Sequence, residues 1–191
     1  MKKIALATLL AVSALSAQAE VELVTNGNFE TGTFAGWIKS GNTSLSDVIS
    51  NTTTTNHTFL WRSGATGSPA YISQNLATVA GVKYTLSFDL YSAGTSSSNP
   101  SAVQFDAFFN GAQVYGFQNQ TIPTWTHFTF TDLSASSALT ELKFGSRNDP
   151  SFTRLDNVSV VAQAVPEPET YAMMLAGLGA LALIAKRRKA A

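Results

Sequence analysis

From Lys83 onward, apolar and polar positions alternate strictly enough to read strands directly. In the 83–91 run, Tyr84, Leu86, Phe88 and Leu90 fall on one side, and Lys83, Thr85, Ser87, Asp89 and Tyr91 on the other. A period of two with one wet side is the mark of a half-buried strand. Val103, Phe105, Ala107 and Phe109 then alternate with Gln104, Asp106, Phe108 and Asn110, and the run resumes at 112–117 after Asn110-Gly111. Asn-Gly between alternating runs predicts a hairpin, because both turn residues need positive φ. Further strands are expected at 124–133, within 139–146 and at 155–161. Shorter ones are expected at 21–24, 44–50, 58–62 and 70–76. In 124–133, Thr126, Phe128 and Phe130 share a face, leaving Trp125, His127 and Thr129 on the other. Roughly eight or nine short strands separated by polar loops predict an all-β fold, an antiparallel β-sandwich of jelly-roll type.

The two ends follow other rules. Lys2 and Lys3 precede the apolar run 4–15, and Ala17-Gln18-Ala19 supplies a small–x–small cleavage pattern. Residues 1–19 therefore read as a secretory signal peptide for the Sec translocon. At the other end, Val165, Pro166, Glu167 and Pro168 precede a 15-residue apolar run, Tyr171–Ala185, and the cations Lys186, Arg187, Arg188 and Lys189. As a helix the run rises about 23 Å, somewhat less than a hydrocarbon core, and terminal snorkelling can extend it. The expected organisation is a signal peptide at 1–19, a β-sandwich at 20–162 and a C-terminal segment at 163–191 with one transmembrane helix, 171–185. Pro166 and Pro168 are expected to keep the junction extended.

Charge placement changes the picture more than total charge. The chain carries 12 Lys+Arg and 12 Asp+Glu, but residues 20–165 hold 6 against 10, a net of −4. An acidic domain without clustered cations argues against nucleic-acid binding. Cysteine is absent, which removes disulfides and thiol chemistry. No Gly-x-Ser-x-Gly, His-Glu-x-x-His or phosphate-loop pattern occurs, so the domain reads as non-enzymatic.

Residues 165–189 resemble the PEP-CTERM sorting signal: Val-Pro-Glu-Pro, a membrane span and a basic cluster, in order. The resemblance implies recognition by an exosortase of a Gram-negative bacterium. It further implies transient membrane anchoring, removal of the span, and delivery to the cell surface or the exopolysaccharide matrix. Within the domain, the 23–37 run (LVTNGNFETGTFAGW), the 81–88 run and Leu155-Asp-Asn-Val-Ser-Val160 resemble carbohydrate-binding modules of the galactose-binding-like jelly-roll type. This second resemblance implies polysaccharide binding. It also implies a structural calcium near the first and last strands, with Glu30 and Asp156 as the carried-over ligands. Asp156 shares the nominal strand parity of Val158 and Val160, so it is expected to point to the core edge and to need a partner. A hydrogen-bond network or an ion pair with Arg154 or Lys39 is the alternative to a metal.

Sugar recognition needs aromatic rings to meet pyranose C–H faces and polar groups to meet hydroxyls. The candidates are Trp125 with His127, Asp106 with Phe108, Asp89 with Tyr91, and Trp61 at a loop rim; Trp37 is expected in the core. The alternative functions are a structural or adhesive matrix protein without a ligand site, or a secreted glycoside hydrolase using a carboxylate pair.

Overall fold

A computed structural model describes residues 20–51, 56–94, 99, 102–149, 151–163 and 168–189. Ten strands run in the order β1 (Ile38–Gly41), β2 (Ser46–Ser50), β3 (Phe59–Ser63), β4 (Ala70–Ala77), β5 (Lys83–Ser92), β6 (Val103–Phe109), β7 (Ala112–Gln118), β8 (Ile122–Ser134), β9 (Leu139–Asn148) and β10 (Thr153–Ala162). They form two five-stranded sheets, β1-β4-β9-β6-β7 and β2-β3-β10-β5-β8, with every pairing antiparallel. The fold is the expected β-sandwich.

The alternating runs set its core. Tyr84, Leu86, Phe88 and Leu90 from β5 meet Val103, Phe105, Ala107 and Phe109 from β6, all buried. Phe88 packs edge-on to Phe144 at 5.3 Å between ring centres, a favoured aromatic geometry. The Asn110-Gly111 hairpin forms between β6 and β7 with φ of 54° and 76°, as its sequence demands.

Two early expectations need correction. Residues 21–24 form only an isolated bridge, Glu22 to Val161, rather than a strand. The Glu22 carboxylate turns back to accept the Val24 and Val160 N–H groups. The chain then bends at Asn26, at φ 53°, toward β10. There the Val158 N–H donates to the Gly27 carbonyl at 2.9 Å. A Cβ on Gly27 would overlap the Val158 carbonyl, so only glycine fits. Conversely, β1 was not foreseen: Ile38–Gly41 is an edge strand with all four residues exposed, and exposure leaves no alternation to read.

The C-terminal helix α1 spans Pro168–Lys189, beyond the expected run at both ends. Pro168 opens the helix instead of barring it, since a first-turn proline loses no internal hydrogen bond. Val165, Pro166, Glu167 and the signal peptide lie outside the described residues. Among the described residues no helix is long and apolar enough to cross a membrane. The apolar stretch itself has 15 residues before Lys186, short of the ~20 a full span takes.

Candidate functional site

Each sheet turns one face away from the core, and the two faces differ. On the outer face of β1-β4-β9-β6-β7, cross-strand register lines up Tyr71, Gly145, Asp106 and Gly116 in one row. Ser73, Lys143, Phe108 and Gln113 form the next row. The Tyr71 ring lies against bare backbone: a Cβ on Gly145 would come within 2.6 Å of its Cε1. The Lys143 ammonium sits between two rings, 5.6 Å from the Tyr71 centre and 5.2 Å from that of Phe108. Asp106 is only 8% exposed. Its oxygens accept from Gln113 Nε2 at 2.7 Å and Gln104 Nε2 at 2.6 Å. Burial pushes its carboxyl above the usual range, and the Gln104 N–H opposes that shift. Two half-buried rings, a cation and amide-clamped acid therefore lie on a glycine-flattened sheet.

The outer face of β2-β3-β10-β5-β8 carries a hydrogen-bonded network, closed around a buried His57–Asp156 pair and open at His127, whose side chain is 60% exposed. His57 Nδ1 lies 2.9 Å from Asp156 Oδ2, and its ring stacks on Trp125 at 3.8 Å between centres. His127 Nδ1 reaches Asp89 Oδ1 at 2.6 Å, and Asn157 Nδ2 donates to Asp89 Oδ2 at 2.8 Å. Arg154 covers Tyr91 at 5.1 Å. Burial lowers the His57 pKa, opposed by the Asp89 charge. Burial also pushes Asp156 up to about 8; the Asn157 N–H opposes this, and the Asp89 and Glu30 charges add to it. Both members of the buried pair are thus driven toward their neutral forms.

The position of Asp156 corrects the parity argument. A register shift between Asp156 and Ser159, with Asn157 at φ 49°, makes a β-bulge in β10. Asp156 pairs with Asp89 and so faces outward, opposite to Leu155, which pairs with the core residue Leu90. It is 1% exposed because His57 covers it.

Of the sugar-binding candidates, Trp125, His127, Asp89 and Tyr91 gather on the closed face, and Asp106 and Phe108 on the open one. Trp61 belongs to neither. It is 1% exposed, pairs with Leu155, and its Nε1 donates to Ser46 Oγ at 2.8 Å. The outward neighbour is Arg62, held bidentately by Asp47. Trp37 is a core residue stacked on Phe29, as expected. Sequence reading missed Tyr71, Lys143 and Gln113, whose meaning depends on which strands become neighbours. It also missed His57 as the partner of Asp156; Arg154 and Lys39 instead lie over Tyr91 and Phe34.

For calcium, the donor set is thin. Asp156 Oδ2 lies against His57, and its Oδ1 accepts from the Asn157 N–H at 2.8 Å. Glu30 Oε1 accepts from the Phe59 N–H at 3.2 Å. Among the described residues no group of three His, Cys, Asp or Glu is placed to hold a metal. Calcium takes six to eight oxygens, and of the two expected carboxylates each already accepts a hydrogen bond from a backbone N–H.

Residues 164–189 match the PEP-CTERM protein-sorting motif. No curated protein matches the chain. Among solved structures, the β-sandwich is similar to TmCBM61, determined with β-1,4-galactotriose, at TM-score 0.61 and 15% identity over 75% of this chain and 99% of that one. It is similar to the CBM22-1 xylan-binding domain of Paenibacillus barcinonensis Xyn10C at TM-score 0.55 and 16% identity, over 79% and 100% of the two chains. It is also similar to a Stig cyclase, Fisc from Fischerella sp. TAU, at TM-score 0.54 and 17% identity, over 78% and 100%. Binding modules and an enzyme share the architecture, so function must come from the site. The chain carries a PEP-CTERM sorting motif behind a β-sandwich similar in fold to carbohydrate-binding modules.

Proposed function

We propose that this is an exported protein whose β-sandwich binds polysaccharide without chemical turnover, on the outer face of β1-β4-β9-β6-β7. The observation that carries the reading is Tyr71, packed against Gly145, with Phe108 across Lys143 from it and amide and charged groups in the adjoining positions. Stacking rings supply contact area, and Gln104, Gln113 and Lys143 supply hydrogen-bonding groups for hydroxyls. The fold likeness to modules described with galactotriose and as xylan-binding supports the class of ligand. The sorting motif supports delivery by exosortase to the cell surface or the extracellular matrix, with α1 as the transient anchor.

The test is retardation of the protein in gels containing β-1,4-galactan, xylan, polygalacturonate or the producer's own exopolysaccharide. Retention by at least one polymer, lost in Tyr71→Ala, is expected. No retention by any of them would remove the binding reading and leave a structural matrix role. Delivery is tested separately by mass spectrometry of both termini. An intact α1 in every cell fraction would contradict exosortase processing.

A further inference from the structure

The described cations differ in how the protein holds them. Arg147, one row away, is held by Asp149 through two bonds of 3.0 and 2.6 Å. Arg62 is held in the same way by Asp47, and Lys83 Nζ bonds to Ser134 Oγ. Lys143 differs. Its nearest carboxylate, Glu141 Oε2, is 4.0 Å away, beyond hydrogen-bond reach. What positions the ammonium is the pair of rings, Tyr71 on β4 and Phe108 on β6. Ring faces attract a cation but accept no conventional hydrogen bond, so the three N–H donors remain available to solvent or to a ligand.

The acid nearest the platform centre is subdued. Asp106 is 8% exposed and clamped by two side-chain amides. Its oxygens are thus occupied by those amides, whereas the Lys143 ammonium has a carboxylate only at 4.0 Å, from Glu141. A sugar stacked on Tyr71 or Phe108 brings its ring substituents within reach of Lys143. A substituent that is itself a carboxylate gains a charge-assisted hydrogen bond there, whereas a hydroxymethyl group gains a weaker one.

We infer that Lys143 makes the open face selective for acidic polysaccharide, with hexuronate residues as the preferred sugars. This rests on the polysaccharide-binding reading above and names its ligand class. The experiment uses the full chain in mild detergent, with polygalacturonate and neutral β-1,4-galactan as probes, on wild type, Lys143→Gln and Tyr71→Ala. Wild type should prefer polygalacturonate. Lys143→Gln should weaken that binding roughly tenfold, the size of one lost charge-assisted bond, and weaken galactan binding by a distinctly smaller factor, since the amide can still meet a hydroxyl. Raising salt from 50 to 500 mM should reproduce most of the Lys143→Gln effect in wild type and little of it in the variant. Tyr71→Ala should weaken both polymers. Equal losses on both polymers in Lys143→Gln, or a preference for galactan, would overturn the selectivity while leaving the binding face intact. Binding of neither polymer would overturn the hexuronate selectivity; retention by xylan or the producer's own exopolysaccharide would then keep the binding face, and its absence would remove that too, with unchanged circular dichroism of the variants separating each outcome from misfolding.

Discussion

The two outer faces of the sandwich carry similar residue types and use them oppositely. Around β10 and β5, His57, His127, Asp89, Asp156 and Asn157 spend their polar atoms on one another, and Trp125 stacks on His57. Around β9 and β6, Tyr71 and Phe108 flank a cation that no protein acceptor holds within hydrogen-bond reach. A buried hydrogen-bonded pair such as His57–Asp156 specifies a structure; an open platform with spare donors is available to a ligand. Residue inventory alone does not separate the two. Partner geometry does.

The comparison can be broken by moving one residue from each face. The largest effect expected is on stability, from His57→Ala. Removing one member of a buried hydrogen-bonded pair leaves Asp156 without its histidine partner and costs about 2 kcal/mol. Urea unfolding should show that loss, with polysaccharide retention unchanged wherever the protein is folded. Next comes Tyr71→Ala, which should lose roughly thirtyfold in polymer affinity, the scale of a central aromatic contact, with little change in melting temperature. Gly145→Ala sharpens the same point. Its new Cβ would meet the Tyr71 ring at 2.6 Å, so the ring must lift. A stability cost of about 1 kcal/mol should accompany weaker binding, read by calorimetry and gel retardation together.

A smaller effect is expected from pH, and above neutrality the closed face is its main source. Asp156 has its folded pKa raised to about 8, so folding favours its protonated form. Its contribution is complete below the ordinary carboxylate range and is lost as pH rises toward 8. His57 is lowered below 6.5, so its opposing contribution, a gain with rising pH, is complete by about pH 6.5. Between roughly pH 6.5 and 8.5 only the loss remains, and the melting temperature should fall there. Asp156→Asn should abolish that slope. A slope that survives in the variant would place its origin elsewhere. The smallest change, none at all, is expected on adding a chelator or calcium; a calcium-dependent melt would show that the ion displaces His57 from Asp156.

Much of the fold was legible because its strands are half-buried. The 83–91 and 103–109 runs show their core faces by alternation, and Asn110-Gly111 shows its turn by backbone chemistry. What failed did so for local reasons. Ile38–Gly41 is an exposed edge strand and carries no period. The Asn157 bulge inverts the parity on which the placement of Asp156 relied, and one left-handed residue is invisible to a period-two count. The sites were less legible still. Trp61 looked like a rim residue because it follows a polar loop, yet its neighbours Val48 and Leu155 place it in the core. Tyr71, Lys143 and Phe108 come from three separate strands. Their meeting is a consequence of sheet order, β4-β9-β6, which sequence periodicity does not encode.

The most direct test of the central claim is polysaccharide binding by Tyr71→Ala and Trp125→Ala, measured side by side on the polymer that retains the wild-type protein. The open-face account predicts that Tyr71→Ala loses binding, whereas Trp125→Ala keeps it and loses only stability. Binding lost in Trp125→Ala and kept in Tyr71→Ala would move the site to the opposite sheet and contradict the account.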